Sequence, residues 1–208
     1  LAGALDALGE AAPAVAGRRC LDAGASTGGF TDVLLRRGAG HVVAVDVGYG
    51  QIAWRLREDP RVTVLERTNV RTLDPAAVAP APGLVVGDLS FISLTLVIPS
   101  LVRAAAAEAD FLLLVKPQFE VGRERLGAGG VVRDTRLHAE TVMAVSACAR
   151  SHGLDVLAAI ASPLPGPAGN VEYFLHMRAG SGQEPDGGLE SAVRSAIATG
   201  PAGKEARK

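Results

Sequence analysis

Short apolar runs punctuate the chain at Arg19 to Asp22, His41 to Asp46, Val62 to Leu65, Leu84 to Asp88, Phe111 to Lys116, Leu154 to Ala161 and Val171 to Met177. They lack the in/out alternation of a half-solvated sheet, so each reads as a strand buried on both faces. Between most of them lie segments with helical spacing, clearest at Thr31 to Arg37, Gln51 to Arg57, Ser93 to Ala107 and Leu137 to His152. Pro99 should kink or shift the third. Strands alternating with helices predict an α/β fold, a doubly wound and mainly parallel sheet of seven strands covered on both sides.

The last connection breaks this rule. Ser162 to Asn170 holds three prolines and two glycines and no helix. A link that short cannot make a parallel crossover, so Leu154 to Ala161 and Val171 to Met177 should form an antiparallel hairpin at one edge. After Arg178 the composition shifts to Gly, Ser, Pro and charge, which predicts a surface tail over 179–208 with a short helix near Leu189 to Ala198 and a disordered Gly203 to Lys208.

Composition narrows the classes. The 208 residues are 48% hydrophobic and 21% charged, and 21 Lys and Arg against 22 Asp and Glu leave a net charge of −1. No uncharged apolar run approaches the roughly 18 residues of a membrane span. Near-neutral charge gives no global attraction to nucleic acid, so an RNA partner would need a local patch or another domain. Cys20 and Cys148 lie far apart with no metal-ligand spacing, which predicts no metal and a reducing, cytoplasmic setting. The chain begins at Leu1 without a basic and apolar leader, and is expected to be part of a longer protein.

The strongest local signal follows the first strand: Asp22, Ala23, Gly24, Ala25, Ser26, Thr27, Gly28, Gly29 and Phe30. Glycines at that place let the backbone turn sharply beside a ligand in the crevice above the strand ends. A dinucleotide fingerprint would need glycine where Ser26 stands, and no Lys-Ser/Thr follows to make a phosphate loop. The leading carboxylate of Asp22 suits an ammonium better than a phosphate, so a ligand joining an amino acid to an adenosine fits best, namely S-adenosylmethionine. Asp46, ending the second strand, is placed to accept both ribose hydroxyls, with Val47 beside it, and the Asn69 amide to meet the adenine edge. The plain alternative is a glycine turn with solvated carboxylates.

Three further residues point at chemistry. Asp88 ends the fourth strand, Lys116 the fifth, and Glu172 lies where the hairpin turn feeds the last strand. A lysine closing five apolar residues must emerge at the strand's carboxyl end, beside the crevice. Each has a bland counterpart: a helix cap for Asp88, a snorkelling surface lysine for Lys116, an edge-strand charge for Glu172. Arg123, Arg125, Arg133 and Arg136 flank Gly127, Gly129 and Gly130 in what reads as a phosphate-contacting or merely solvated loop. His41, His138, His152 and His176 show no convergence.

These motifs together resemble the TlyA-type hemolysin/rRNA methyltransferases of the FtsJ-like group of ribose 2'-O-methyltransferases. The resemblance rests on Leu21 to Phe30, Asp46 to Gly50, Asp88 to Ile92, Val115 to Glu120, Ser162 to Gly166 and Asn170 to Phe174, and runs from about Leu1 to about Arg178. It implies a methyltransferase domain over 1–178 that uses S-adenosylmethionine and releases S-adenosylhomocysteine, with the cytidine 2'-hydroxyl of ribosomal RNA, within ribosomal subunits, as acceptor. It also implies a Lys-Asp-Lys-Glu tetrad, in which Asp88, Lys116 and Glu172 stand at matching positions. The first lysine, and a small N-terminal S4-like RNA-binding domain, would precede Leu1, so this chain alone is expected to methylate weakly or not at all.

Three rivals remain. A base N-methyltransferase often carries Asp/Asn-Pro-Pro-Tyr/Phe where this chain has Asp88-Leu-Ser-Phe91. A nicotinamide oxidoreductase is disfavoured by Ser26. A non-catalytic RNA-binding or ribosome-assembly module that keeps the cofactor as a structural ligand is the alternative from another class.

Overall fold

A computed structural model describes residues 1–166, 168–180 and 188–201. Its sheet has seven strands: β1 (Arg19–Ala23), β2 (His41–Val45), β3 (Val62–Leu65), β4 (Leu84–Gly87), β5 (Asp110–Val115), β6 (Leu154–Ala161) and β7 (Tyr173–Ala179), in the order β3-β2-β1-β4-β5-β7-β6. The first five are parallel, and β7 runs antiparallel to both β5 and β6. The expected hairpin is thus present, with β7 slotted between β5 and the edge strand β6. It begins later than the sequence predicts, at Tyr173 rather than Val171, because Glu172 belongs to the turn and its carbonyl accepts from Ser162 N at 2.8 Å.

The strands sit where they do because alternate residues feed two cores. Leu21, Val43, Val85, Phe111, Leu113, Leu175 and Met177 point to one face. Cys20, Val42, Leu84, Leu112 and Phe174 point to the other. A strand with apolar side chains on both sides must be covered on both sides, which is why the sequence shows runs rather than alternation. The covering helices are α1 (Ala2–Leu8), α2 (Gly29–Arg36), α3 (Trp54–Arg57), α4 (Ile98–Ala104), α5 (Pro117–Glu120), α6 (Thr135–Ser151) and α7 (Gly188–Thr199).

Several boundaries differ from the sequence pattern. The helix expected over Gln51 to Arg57 is only the turn of α3, because Ala53 N is taken by Thr27 O at 3.0 Å before the helix starts. Ser93 to Ala107 divides into a 3-10 turn at Leu94–Leu96 and α4, with Pro99 in the first turn of α4, where a missing N–H costs least. Helix α1 is absent from the sequence reading, since it is one short segment without a side-chain cap, yet it buries Ala4 and Leu5. Helix α7 is not a surface element. Its Leu189, Val193, Ala196 and Ile197 are buried in the same core as β6 and α6. The expected disorder of Gly203 to Lys208 lies outside the described residues.

The sheet reverses direction of winding between β1 and β4, which are neighbours although β2 and β3 intervene in sequence. In open α/β sheets that switch point opens a crevice at the carboxyl ends of the strands.

Candidate active site

The crevice is a cleft of about 420 Å³ lined by Gly24 and Ser26 after β1, Asp46, Val47 and Gln51 after β2, Asn69 and Val70 after β3, and Asp88 to Ile92 after β4, with Val97 ahead of α4. The loop after β1 is drawn against β2 by two hydrogen bonds, from Gly24 N and Ala25 N to Val45 O at 2.8 and 3.1 Å. Gly24 has φ +83°, and a Cβ there would lie 2.6 Å from Asp88 O, so the loops after β1 and β4 approach as closely as they do only because this residue has no side chain. Asp46 is half-buried and ties two loops together. Its Oδ2 accepts from Ser26 N at 2.8 Å and its Oδ1 from Gly48 N at 2.7 Å. A carboxylate offers about four lone-pair positions, so both oxygens keep capacity for a ligand.

Asp22 is placed differently from its sequence reading. It is fully buried, with Oδ2 accepting from Thr31 Oγ1 at 2.7 Å and Oδ1 without a partner. Burial pushes its carboxyl up to about 7, and the Thr31 hydroxyl only partly offsets this. Asp22 supports the loop from below rather than opening on the cleft. Ala25, Thr27, Gly28, Gly29 and Phe30 also lie off its walls; the Phe30 ring instead stacks on Phe174 at 6.0 Å. Asn69 does reach the wall, but its Oδ1 caps the following 3-10 turn by accepting from Arg71 N at 3.0 Å.

At the other end of the cleft Lys116 leaves β5 with its side chain 11% exposed. Its Nζ lies 2.5 Å from Asp88 Oδ1 and donates to Ser90 Oγ at 3.0 Å. Asp88 is therefore an ion-pair partner and not a helix cap. Although the pair is close, Asp88 Oδ1 receives no well-aligned hydrogen bond. Glu172 is also buried, and since β7 is an internal strand its carboxylate is no edge charge. Burial raises its pKa, while an N–H from Gln118 at 2.9 Å and the charge of Lys116 pull it back and Asp88 opposes them. The register explains the meeting. Val115 pairs with Tyr173, so the residues just beyond these two ends, Lys116 and Glu172, fall on the same rim.

The loop after β4 is strained and pinned. Phe91 has φ +63° and is 90% exposed, its ring 5.0 Å from that of Phe119. A positive φ at an aromatic residue costs on the order of 1–3 kcal/mol and persists where the surroundings enforce it. Just beyond it the Glu120 carboxylate accepts from Ser93 Oγ at 2.5 Å and Leu94 N at 2.8 Å, which fastens the loop to α5. Among the described residues, the buried side-chain atoms without a hydrogen-bond partner are Asp22 Oδ1, Asp88 Oδ1 and Gln118 Oε1. All three lie at the carboxyl ends of β1, β4 and β5, Asp88 Oδ1 being ion-paired to Lys116 and the other two without any partner, and buried groups of this kind gather at functional sites.

The sequence reading missed Gln51, Val70, Leu89, Ser90, Phe91, Ile92 and Val97 as lining residues. Leu89 to Phe91 adjoin Asp88 and were recoverable from that neighbourhood; Val97 and Val70 were not, since they read simply as core. Of the arginine loop, Arg125 pairs with Glu140 and Arg136 with Asp134, while Arg123 and Arg133 are exposed. His138, unassigned from sequence, bridges Tyr173 Oη and Val132 O at 2.8 Å each and so anchors this loop to β7. A larger groove of about 710 Å³ runs between α6 and α7, lined by Arg136 and Glu140 among others and sharing no residue with the cleft at the strand ends.

A model of the FtsJ-like methyltransferases matches residues 1–179. The chain belongs to the FtsJ-like methyltransferase family. It is 60% identical over 202 residues, 97% of this chain and 74% of the relative, to a Mycobacterium tuberculosis protein named 16S/23S rRNA (cytidine-2'-O)-methyltransferase TlyA. A solved Streptococcus thermophilus protein named as a hemolysin superimposes with TM-score 0.87 at 36% identity, covering 98% of this chain and 74% of that one. A Listeria monocytogenes S-adenosylmethionine-dependent methyltransferase shares the fold, with TM-score 0.61 at 16% identity over 86% of this chain and 98% of that one. None of the described helices is long and apolar enough to cross a membrane. The sheet is that of the S-adenosylmethionine-dependent methyltransferases, mostly parallel with antiparallel strands at the carboxyl-terminal side.

Proposed function

We propose that this protein transfers a methyl group from S-adenosylmethionine to the ribose 2'-hydroxyl of cytidine in ribosomal RNA, in the cytoplasm. The observation that carries this reading is the buried Lys116–Asp88 pair with Glu172 beside it at the end of the cleft, in a chain 60% identical to a relative named for that reaction. The cleft suits the cofactor in kind and size. Its volume falls within the roughly 300–1,000 Å³ usual for small-molecule sites. Asp46 is assigned to the ribose hydroxyls, Asn69 to the adenine edge, Val70, Leu89, Ile92 and Val97 to the apolar walls, and the backbone at Gly24 and Ser26 to the amino-acid end. When bound, the cofactor supplies an electrophilic methyl on a good leaving group.

The protein's own residues supply the rest. A ribose hydroxyl is a weak acid, so transfer needs in-line placement together with a charge that stabilises the oxygen as its proton leaves. With its Nζ held 2.5 Å from the Asp88 carboxylate, Lys116 is assigned to electrostatic stabilisation of the developing oxyanion rather than to the role of base. Glu172, pushed up by burial, is a stronger base than an exposed glutamate and is the acceptor assigned to the hydroxyl proton. The exposed Phe91 ring offers a face on which an unstacked base can lie, with Arg123 and Arg133 available to phosphates.

A lysine ahead of Leu1 is assigned as the fourth member of the site, and an S4-like domain ahead of it as the main RNA-binding part. The test is to incubate the full-length protein with unmethylated ribosomal subunits and labelled methyl donor, digest the RNA and identify nucleosides by mass. Label in 2'-O-methylcytidine is expected. Label on a base would overturn the ribose assignment, and no label despite cofactor binding would favour an RNA-binding module.

A further inference from the structure

We infer that Gln118 is a positioning residue for methyl transfer, its amide holding the Glu172 carboxylate in place beside Lys116. The inference rests on the catalytic reading above and extends it by one residue. Gln118 follows Lys116 by two positions, in the first turn of α5, and Pro117 between them fixes the backbone where the chain leaves β5. From there its Nε2 reaches across to Glu172 Oε1 at 2.9 Å, linking two segments 54 residues apart.

The two ends of this amide are treated unequally. Nε2 donates to Glu172, while Oε1 is buried and has no donor. Asn170, two residues before Glu172, shows what a purely structural amide looks like here: its Oδ1 accepts from Val132 N at 3.0 Å and its Nδ2 donates to Gly130 O at 2.9 Å. An amide that serves the fold is satisfied at both ends, since each buried orphan is costly. Gln118 is satisfied only at the carboxylate, so the bond to Glu172 is what sets its orientation.

The chemistry gives that hydrogen bond a purpose. A carboxylate can take the hydroxyl proton only if it begins ionised. The charged groups facing Glu172 are Lys116, which favours ionisation, and Asp88, which opposes it; burial opposes it too. An N–H aimed at Oε1 favours the ionised form and fixes which oxygen is left for the proton. Gln118 does not line the cofactor cleft, so its effect should be felt in turnover and not in cofactor binding.

The test uses the full-length protein with Gln118→Met, which keeps the length without the N–H, and Gln118→Glu, which keeps the shape and crowds a second carboxylate against the first. Expected are a fall in kcat of about tenfold, in keeping with one lost hydrogen bond to a charged group, an unchanged Kd for S-adenosylhomocysteine, and an acid limb of the kcat–pH profile displaced to higher pH, further for Gln118→Glu. In a Glu172→Gln background Gln118→Met should cost nothing more. Wild-type kcat with an unmoved acid limb in folded Gln118→Met, judged by its unfolding curve, would overturn the inference while leaving the catalytic reading intact. Wild-type turnover in Glu172→Gln would overturn both.

Discussion

Lys116 and Asp88 sit on adjacent parallel strands and meet 2.5 Å apart just beyond their carboxyl ends, with the lysine buried and the aspartate reaching the cleft. The pair joins the cofactor cleft to the place assigned to the acceptor. Lys116→Met should therefore lower kcat by about 10²–10³-fold, the range for removing one preorganised donor from a developing oxyanion, and leave cofactor affinity within a few-fold. Asp88→Asn should harm both, since Asp88 also lines the cleft. Single-turnover methylation and calorimetric titration with S-adenosylhomocysteine separate the two; equal loss of affinity in both variants would reject the division of labour.

Glycines of the same loop divide sharply. Gly24→Ala forces a left-handed φ on alanine, at about 1–2 kcal/mol, and drives a Cβ to 2.6 Å from the Asp88 carbonyl, a backbone atom that cannot swing aside. Cofactor binding should drop at least tenfold and the unfolding temperature should fall. Gly29 opens α2, and an added Cβ there meets no atom within 4 Å. Gly29→Ala should bind normally and gain about 0.4–1 kcal/mol through its less flexible unfolded chain. Comparable losses in the two variants would mean that loop flexibility, and not the close approach at Gly24, is what the ligand requires.

The sheet was legible because strands buried on both faces write themselves as unbroken apolar runs, and the short Pro- and Gly-rich link before β7 left only a hairpin. The site was legible as far as topology carries it, since residues ending parallel strands collect on one rim. Depth was not. Asp22 reads as an open carboxylate, and only the packing of Thr31 from α2 shows that it is sealed beneath the loop. Gln118 and Glu172 are 54 positions apart, and nothing in the local pattern of either names the other. Helix α7 looked like part of a polar tail because its apolar stripe is short and flanked by glycine and charge, yet it closes the core over β6 and α6.

Asp22 gives the protein a titration that can be read in its stability. Its carboxyl, pushed by burial to about 7 when folded, titrates near 4 in an unfolded chain. Between those values the folded state holds a proton that the unfolded state has lost, so this residue makes stability fall as pH rises from about 4 to about 7 and stay level above that. Asn at this position accepts from Thr31 in the same way and does not titrate. The unfolding temperature of the wild type should thus decline relative to Asp22→Asn between pH 5 and pH 8, by about 2–4 °C for each kcal/mol in a chain of this size. Parallel curves would show that Asp22 is ionised throughout and that a buried donor reaches Oδ1.

The opposite end of β5 supplies the control for all of these. Asp110 opens that strand, buried, and accepts from Arg18 at 2.6 Å, Arg178 at 2.7 Å and His176 at 3.3 Å. Burial alone would raise its pKa, but these partners together hold it below the ordinary carboxylate range. The clamp binds β5 to β7 and to the residue before β1, and Arg18 and Arg178 keep partial access to water. Asp110→Ala leaves two arginines to rehydrate and one histidine buried without its acceptor, so the loss should approach about 3 kcal/mol, at the low end for breaking a buried pair. Lys116 is six residues along the same strand direction, about 20 Å away at about 3.3 Å per residue. Below its lowered unfolding temperature the variant should methylate at the wild-type rate per folded molecule. A fall in that rate would mean that the strain of the lost clamp travels the length of β5, and that the geometry at Lys116 and Glu172 is held from the far end of the sheet as well as by its own neighbours.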